Sequence, residues 1–180
     1  MARINFKINE KSIIIYFSKR FRERFETLIF RKTKDKDSMN GLIGPAWLIE
    51  GLHYAYEVTK NKKYLDTAEN VYKSFEFNTE EVVWHFKNDS GRNVLDPTFN
   101  HQLWFATQAL KLGCKNGQAF LDKFIPRIKI DNGIIFHLTP LNTRFSPEGV
   151  RQYLRYFKYR NKLTEKSVSY HAFNLLAICN

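Results

Sequence analysis

Polar and aromatic side chains with the chemistry of a sugar-binding wall follow one another in LDPTFNHQLWFA, residues 95–106. Asn100, His101, Gln102 and Trp104 supply two amides, an imidazole and an indole. Amides and imidazoles exchange hydrogen bonds with hydroxyl groups, and an indole offers a flat apolar face. These residues are also compatible with a buried helix whose polar side chains cap neighbouring loops. Both interpretations stay open at this point.

Two carboxylates are candidates for acid–base chemistry. Asp96 precedes Pro97 at the start of this predicted helix, and Glu50 lies on a nearly all-apolar helix. Glycoside hydrolysis usually needs one carboxyl group to protonate the leaving oxygen and another to activate water or attack. A buried Glu must be paired or have a shifted pKa. Asp96 and Glu50 are therefore catalytic candidates, although Asp96 would also serve as a turn or cap residue.

Two histidines allow a different reaction. His101 and His171 each lie near the start of a predicted helix, with Asn100 and Asn174 nearby. Such a pair could remove and return a proton on opposite faces of a sugar, as an epimerase requires. Two hydrogen-bonded structural histidines are the alternative.

The candidate binding residues are those that could stack on a sugar or bind its hydroxyl groups. Trp47 and Trp104 offer indole faces, although both would also suit a core. The full predicted set is Trp47, Asn100, Gln102, Trp104, Tyr170 and Asn174. His53, His85 and His137 are interpreted as structural.

The distribution of charge along the chain restricts the kinds of partner that it is expected to bind. The 180-residue chain has a net charge of +11. Residues 1–40 carry eleven basic and five acidic residues, 41–140 eleven of each, and 141–180 seven and two. A neutral centre argues against a nucleic-acid partner, while the basic ends would suit an acidic glycan, phosphate or membrane surface. A solvated basic surface is the preferred explanation of these ends.

The sequence lacks the motifs of metal-binding, nucleotide-binding, secreted and membrane-spanning proteins. Cys114 and Cys179 have no CxxC spacing and no His at ligand spacing, so we expect reduced packing residues and no metal site. GxGxxG and GxxxxGK[ST] are absent, and we expect no cofactor. No secretory signal or transmembrane span is visible, which predicts a cytoplasmic protein.

The apolar periodicity predicts an all-α chain with short β pieces. Residues 8–31 read as a basic amphipathic helix that packs outside an α-domain or lies on a membrane, and 31–40 as a polar linker. The further predicted helices are 45–59 with Pro45 at its first position, 61–75, 98–112 with Thr98 as N-cap, 116–128 with an early end at Pro126, 147–160 and 165–179. Short β pieces are predicted at 81–87 and 133–138. The helix at 45–59 is apolar nearly all round, which predicts burial on most sides.

The order of these elements repeats. A helix with a polar and aromatic start, an amphipathic helix and a short β piece are followed by the same series. Trp47 and Trp104 are 57 residues apart at similar places. A helical-hairpin repeat of this length predicts an (α/α) toroid, whose inner helices line a cleft.

The segments GLIGPAWLIEGLHYAYEVT, NKKYLDTAENVYK, LDPTFNHQLWFA and SYHAFNLLAI resemble the six-hairpin (α/α)6-barrel superfamily of carbohydrate-active proteins over residues 41–180. The nearest resemblance is to proteins found beside surface-glycan assembly enzymes. At the level of fold they are similar to unsaturated glucuronyl hydrolases and sugar 2-epimerases. The resemblance implies hydrolase or epimerase chemistry, and a single acid–base carboxylate would suffice for a hydratase-like attack on an unsaturated uronide.

These observations give one leading interpretation. Residues 1–40 form a basic helix and linker, and 41–180 form a partial (α/α) toroid corresponding to the N-terminal portion of the family. Inner helices left uncovered would require a second chain or self-association. The expected function is that of a carbohydrate-active, glycoside hydrolase-like protein of surface-glycan metabolism that acts on an oligosaccharide. The alternatives are a non-catalytic glycan- or protein-binding module, or an inactive remnant of a longer enzyme.

Overall fold

The computed structural model of the chain describes residues 37–141 and 147–179. The helices within these ranges are α1 (Ile43–Thr59), α2 (Lys62–Lys73), α3 (Phe99–Lys111), α4 (Lys115–Phe124) and α5 (Pro147–Cys179), with a 3-10 helix at Ile125–Arg127. The strands are β1 (Glu76–Asn78), β2 (Val83–Lys87), β3 (Asn93–Leu95), β4 (Ile130–Asp131) and β5 (Ile134–Ile135). The helix predicted at 8–31 and most of the linker at 31–40 lie outside the described residues.

Two helical hairpins carry most of the fold. The link between α1 and α2 is short, and α2 begins where the side chain of Asn61 accepts a hydrogen bond from Lys63 N. Helix α2 buries one stripe and leaves the opposite face exposed, as predicted. Helix α4 ends in the 3-10 turn that contains Pro126, also as predicted. Both helices therefore bury one face and expose the other.

Helix α3 is the centre of the molecule and packs against α1, α4 and α5. Nearly all of its residues are buried. It ends before Gly113, whose φ of 73° is a left-handed conformation that favours glycine at a helix end. Thr98 does occupy the N-cap position, but its side chain makes no cap hydrogen bond. The first amide of the helix, Phe99 N, instead donates to the carbonyl oxygen of His137.

Helices α1 and α3 run in the same direction. Leu42 N donates to Asp96, and further along Trp104 donates to Glu50. Both pairs are separated by 54 residues, so the two helices keep one register over two turns. This parallel arrangement of α1 and α3, with α2 between them in sequence, is what a helical-hairpin repeat predicts, whereas the toroid stays a prediction.

Two small antiparallel sheets connect the helices. Strands β1, β2 and β3 form one sheet, and β4 and β5 form a second. The β4–β5 turn contains Asn132 and Gly133, with φ of 48° and 78°. Two successive positive φ values are the conformation that Asn-Gly favours in a two-residue hairpin. The predicted β pieces are thus confirmed in part, as β2 and β5, while their partner strands were not predicted.

Three details of the helices differ from expectation. The helices predicted at 147–160 and 165–179 are one continuous helix, α5, because no Gly or Pro separates them and 161–164 can continue a helix. Pro45 is the third residue of α1, not the first. Helix α1 is not buried on most sides: Trp47, Tyr54 and Val58 are exposed. The prediction that this helix is buried on most sides was therefore wrong, because it rested only on the number of apolar residues in the helix.

Two helical glycines provide a matched test of this packing. A Cβ on Gly117 of α4 would lie 2.6 Å from the carbonyl oxygen of Ala106, whereas one on Gly51 of α1 would meet nothing within 4 Å. We expect Gly117→Ala to lower the free energy of unfolding by about 1–3 kcal/mol through overpacking. Gly51→Ala should raise it by about 0.5–1 kcal/mol through helix propensity. Urea unfolding followed by circular dichroism measures both, and equal effects would contradict the α3–α4 packing.

Candidate functional site

Asp96 is a buried carboxylate that joins two parts of the chain. Its Oδ2 accepts hydrogen bonds from Leu42 N at 2.8 Å and from His101 Nδ1 at 2.7 Å. Its Oδ1 accepts from Thr98 N at 3.0 Å. The carboxylate therefore fastens the residues before α1 to the start of α3.

The surroundings of Asp96 favour its charged form. Burial by itself raises the pKa of Asp96, but the adjacent His101 and the N–H groups of Leu42 and Thr98 hold that pKa below its ordinary value. A general acid must instead retain its proton near neutral pH. Asp96 is consequently suited to positioning its neighbours, and poorly suited to protonating a leaving group.

His101 is oriented by this carboxylate. An ionised Asp96 can only accept, so Nδ1 of His101 carries a proton and Nε2 is the nitrogen left for proton exchange. Gly41 has a φ of 61°, and a Cβ there would overlap the Asp96 carboxylate. The backbone of Gly41 therefore closes against Asp96 and His101, an arrangement that no other residue type would fit. Sequence analysis missed Gly41, and the Gly41-Leu42-Ile43-Gly44 pattern was its only signal.

Glu50, Trp104 and Trp47 form a second cluster of predicted site residues, apart from the interactions of Asp96. Its Oε2 accepts a hydrogen bond of 2.9 Å from Trp104 Nε1. The ring centroids of Trp47 and Trp104 lie 6.2 Å apart, edge to face. Trp104 is 4% exposed, whereas Trp47 is 45% exposed. The structure thus brings two of the predicted indoles and one predicted carboxylate together.

A depression of about 300 Å³ lies beside Glu50, between α1 and the end of α3. It is lined by Glu50, His53, Tyr54, Glu57 and Lys111. His53 and Glu57 approach within 3.8 Å of each other. Since two carboxylates and one ammonium group line this depression, it offers no excess positive charge to an acidic sugar.

The predicted residues of α5 contact β5 and the segment that follows it. Nδ1 of His171 accepts from Ile135 N at 3.2 Å, so its proton is on Nε2. The ring of Tyr170 stacks on His137 at 5.0 Å. His101 and His171 contact different elements, and the two-base epimerase arrangement gains no support from these contacts.

The predicted amides are all buried but differ in their hydrogen bonding. The side chain of Gln102 accepts from Trp84 N and donates to the carbonyl oxygens of Trp84 and Asp96. Its hydrogen bonds are used to join β2 to α3. By contrast, Asn100 Oδ1 and both amide atoms of Asn174 have no hydrogen-bond partner in the described part of the chain. The side chains of Asn100 and Asn174 therefore have atoms that can still form hydrogen bonds, whereas both amide atoms of Gln102 are already paired.

Among the described residues, no group of three or more His, Cys, Asp or Glu side chains is arranged to hold a metal ion. Within those same ranges, no helix combines the length and apolarity required to cross a membrane. Cys114 and Cys179 are both free thiols.

The Asp96 interactions predict an acid-dependent stability. Because the folded-state pKa lies below the ordinary value of 3.8, the stabilising contribution is complete above that value and is lost as the pH falls through the folded-state pKa. We expect Asp96→Asn to lower the free energy of unfolding near neutral pH by about 3–5 kcal/mol. The variant should also lose less stability on acidification than the parent protein does.

Urea unfolding at a series of pH values measures this effect. Asp66→Asn, on the exposed face of α2, is the matched control and should change stability by less than about 0.5 kcal/mol. Parallel stability–pH curves for Asp96→Asn and the parent protein would contradict the role assigned to Asp96.

Comparison with known proteins gives one relationship. The chain is similar to a curated protein named Archaeal glycosylation protein Q, from Haloferax volcanii, with 30% identity over 185 aligned residues. The alignment covers 89% of this chain and 50% of the relative, so the chain spans about half the length of that protein. No family model matches the chain, and no solved structure matches it. The chain is thus a distant homologue of an archaeal glycosylation protein.

Proposed function

We propose that this chain is part of a carbohydrate-active protein of surface-glycan metabolism. In this proposal an oligosaccharide lies against the face of α1 and α3 that carries Trp47, Glu50 and Trp104. The distant relationship to a protein named for glycosylation supports a glycan as the ligand. We further propose that α1, α3 and α5 are inner helices of a partial (α/α) toroid, with α2 and α4 outside, because α1 and α3 run parallel in register.

The half-exposed indole of Trp47 carries the proposal. The other two tryptophans, Trp84 and Trp104, are 0% and 4% exposed, whereas Trp47 leaves 45% of its surface open beside a carboxylate. A core needs no such exposed indole, and its exposure has an energetic cost in water. A sugar ring has an apolar face that covers an indole and hydroxyl groups that bind a carboxylate. Trp47 and Glu50 supply both partners.

Glu50 is the better candidate for acid–base chemistry, and Asp96 takes a positioning role in this proposal. Glu50 borders an open depression and is oriented by the Trp104 N–H. Asp96 is enclosed by three N–H donors, and its pKa is lowered. A hydrolase would therefore use Glu50 as its acid or base, with His101 as a second proton-exchanging group held by Asp96.

A non-catalytic glycan-binding module is the second candidate. It is favoured by one observation: the most deeply buried predicted carboxylate, Asp96, is fully occupied by structural hydrogen bonds. A hydrolase usually needs a second carboxyl group close to the first. If the chain only binds glycan, the aromatic rings serve as a platform and Glu50 as a hydrogen-bond acceptor.

Trp47→Ala tests glycan binding without damaging the core. The change should reduce affinity for glycans on an array of surface oligosaccharides about two- to twelvefold, because ring stacking contributes about 0.5–1.5 kcal/mol. Trp104→Ala is a poorer test, since removing a buried indole costs about 3–5 kcal/mol of stability. Val58→Ala, at an exposed apolar residue further along α1 that does not line the depression, is the control for non-specific loss. Undiminished binding by Trp47→Ala would contradict the proposed face.

Glu50→Gln separates the two candidate functions. If the protein is a hydrolase, this variant should release reducing sugar from array-positive glycans about 10²–10⁴-fold more slowly, with binding retained. Glu57→Gln, which lines the same depression, should keep most of the activity. Turnover that survives Glu50→Gln would remove Glu50 from the mechanism. Binding without turnover by the parent protein would favour the module.

A further inference from the structure

Aromatic rings form a continuous row across α1, α3 and α5. The ring of Trp47 contacts that of Trp104 at 6.2 Å between centroids, and Trp104 contacts Phe173 at 6.4 Å. Phe173 contacts Tyr170 at 5.9 Å, and Tyr170 stacks on His137 at 5.0 Å. The row therefore joins three helices through side chains whose positions are fixed by their neighbours.

The row is open to solvent on both sides of a buried centre. Trp47 on α1 is 45% exposed and Phe173 on α5 is 38% exposed, whereas Trp104 between them is 4% exposed. The indole of Trp104 is anchored by its hydrogen bond to Glu50. Trp47 and Phe173 therefore each contact the buried ring of Trp104, and no ring contact joins the two of them among the described residues.

We infer that this row binds at least two consecutive sugar residues, with Trp47 and Phe173 as separate stacking positions. The inference rests on the proposed function and adds Phe173, which sequence analysis did not identify as a binding residue. The two exposed rings belong to different helices, α1 and α5, and both contact the buried ring of Trp104. In this inference one sugar stacks on each exposed ring, which a chain of sugars can do.

The polar groups beside the row favour a glycan over an apolar helix as its occupant. Glu50, His53, Glu57 and Lys111 line the depression next to Trp47 and Trp104. An apolar partner covering this surface would remove these groups from water without replacing their hydrogen bonds, which is costly. A sugar chain presents apolar ring faces to the aromatic residues and hydroxyl groups to the polar ones.

Phe173→Leu tests the second position because it removes the ring but keeps an apolar side chain. The probes are glucose and mannose and their β-1,4-linked oligomers up to the tetrasaccharides, together with an array on which each surface glycan is printed at one to four residues. We expect the parent protein to bind oligosaccharides at least about tenfold more tightly than monosaccharides. Phe173→Leu should remove most of that gain and leave monosaccharide binding unchanged, since Trp47 still stacks.

Leu175→Ala is the matched control. Leu175 lies on α5 two residues from Phe173 and is 47% exposed, and residues two apart on a helix do not face each other. It should leave the length dependence of binding unchanged. Tryptophan quenching by acrylamide gives a second readout, because bound oligosaccharide should protect Trp47, the exposed indole.

The outcomes separate this inference from the function on which it rests. If Trp47→Ala loses binding while Phe173→Leu keeps the full preference for oligosaccharides, the glycan face stands and the second position is wrong. If Leu175→Ala weakens binding as much as Phe173→Leu, the aromatic ring of Phe173 does not account for the preference for oligosaccharides, and the inference is overturned. If no glycan of any length binds the parent protein, both proposals fail.

Discussion

The buried carboxylate of Asp96 is the interaction on which the rest of the structure depends. A charge removed from water has to be compensated fully, and here three N–H groups do so. One donor, Leu42 N, comes from the residue before α1, and two come from the start of α3. The requirement to satisfy one carboxylate therefore fixes how α1 and α3 begin beside each other.

The geometry of the candidate face follows from that fixed start. Because α1 and α3 are aligned at Leu42 and Asp96, Glu50 meets Trp104 two turns further along, at the same sequence separation. Gln102 joins the same stretch of α3 to β2 through the backbone of Trp84. The face that carries Trp47 and Glu50 is thus supported from beneath by hydrogen bonds, which is what a binding site on rigid elements needs.

Helix α5 extends this face and also leaves surface uncovered. Ile135 N in β5 and His137 N just after it donate to His171 and Ser167, and the carbonyl oxygen of His137 accepts from Phe99 N. Strand β5 and the residues after it therefore join α5 to the start of α3. Leu175, Leu176 and Ile178 nevertheless remain exposed on α5. The relative named for glycosylation is about twice as long as this chain. A further helix or a second chain against this surface agrees with the toroid proposal, and the aromatic row lies at the boundary of that surface.

Sequence patterns located the candidate residues better than they assigned roles to them. Asp96, His101 and Gln102 were expected around a cleft because of their types, but periodicity cannot say which hydrogen bonds a buried polar group makes. Gln102 joins a strand to a helix, and Asp96 holds backbone N–H groups. Phe173 was not among the predicted site residues, although its spacing of three residues from Tyr170 puts both on one side of a helix.

The sequence by itself determined the local structure: the helices α1 to α4, the stop at Gly113, the early end at Pro126 and the Asn132-Gly133 turn. These features depend on backbone preferences of one or two residues, which act at short range. Only the tertiary structure decided that Trp47 is exposed while Trp104 is buried, although both are indoles in similar positions. That difference arises because α3 is enclosed by three helices, whereas α1 keeps one open face, and neighbours distant in sequence set burial.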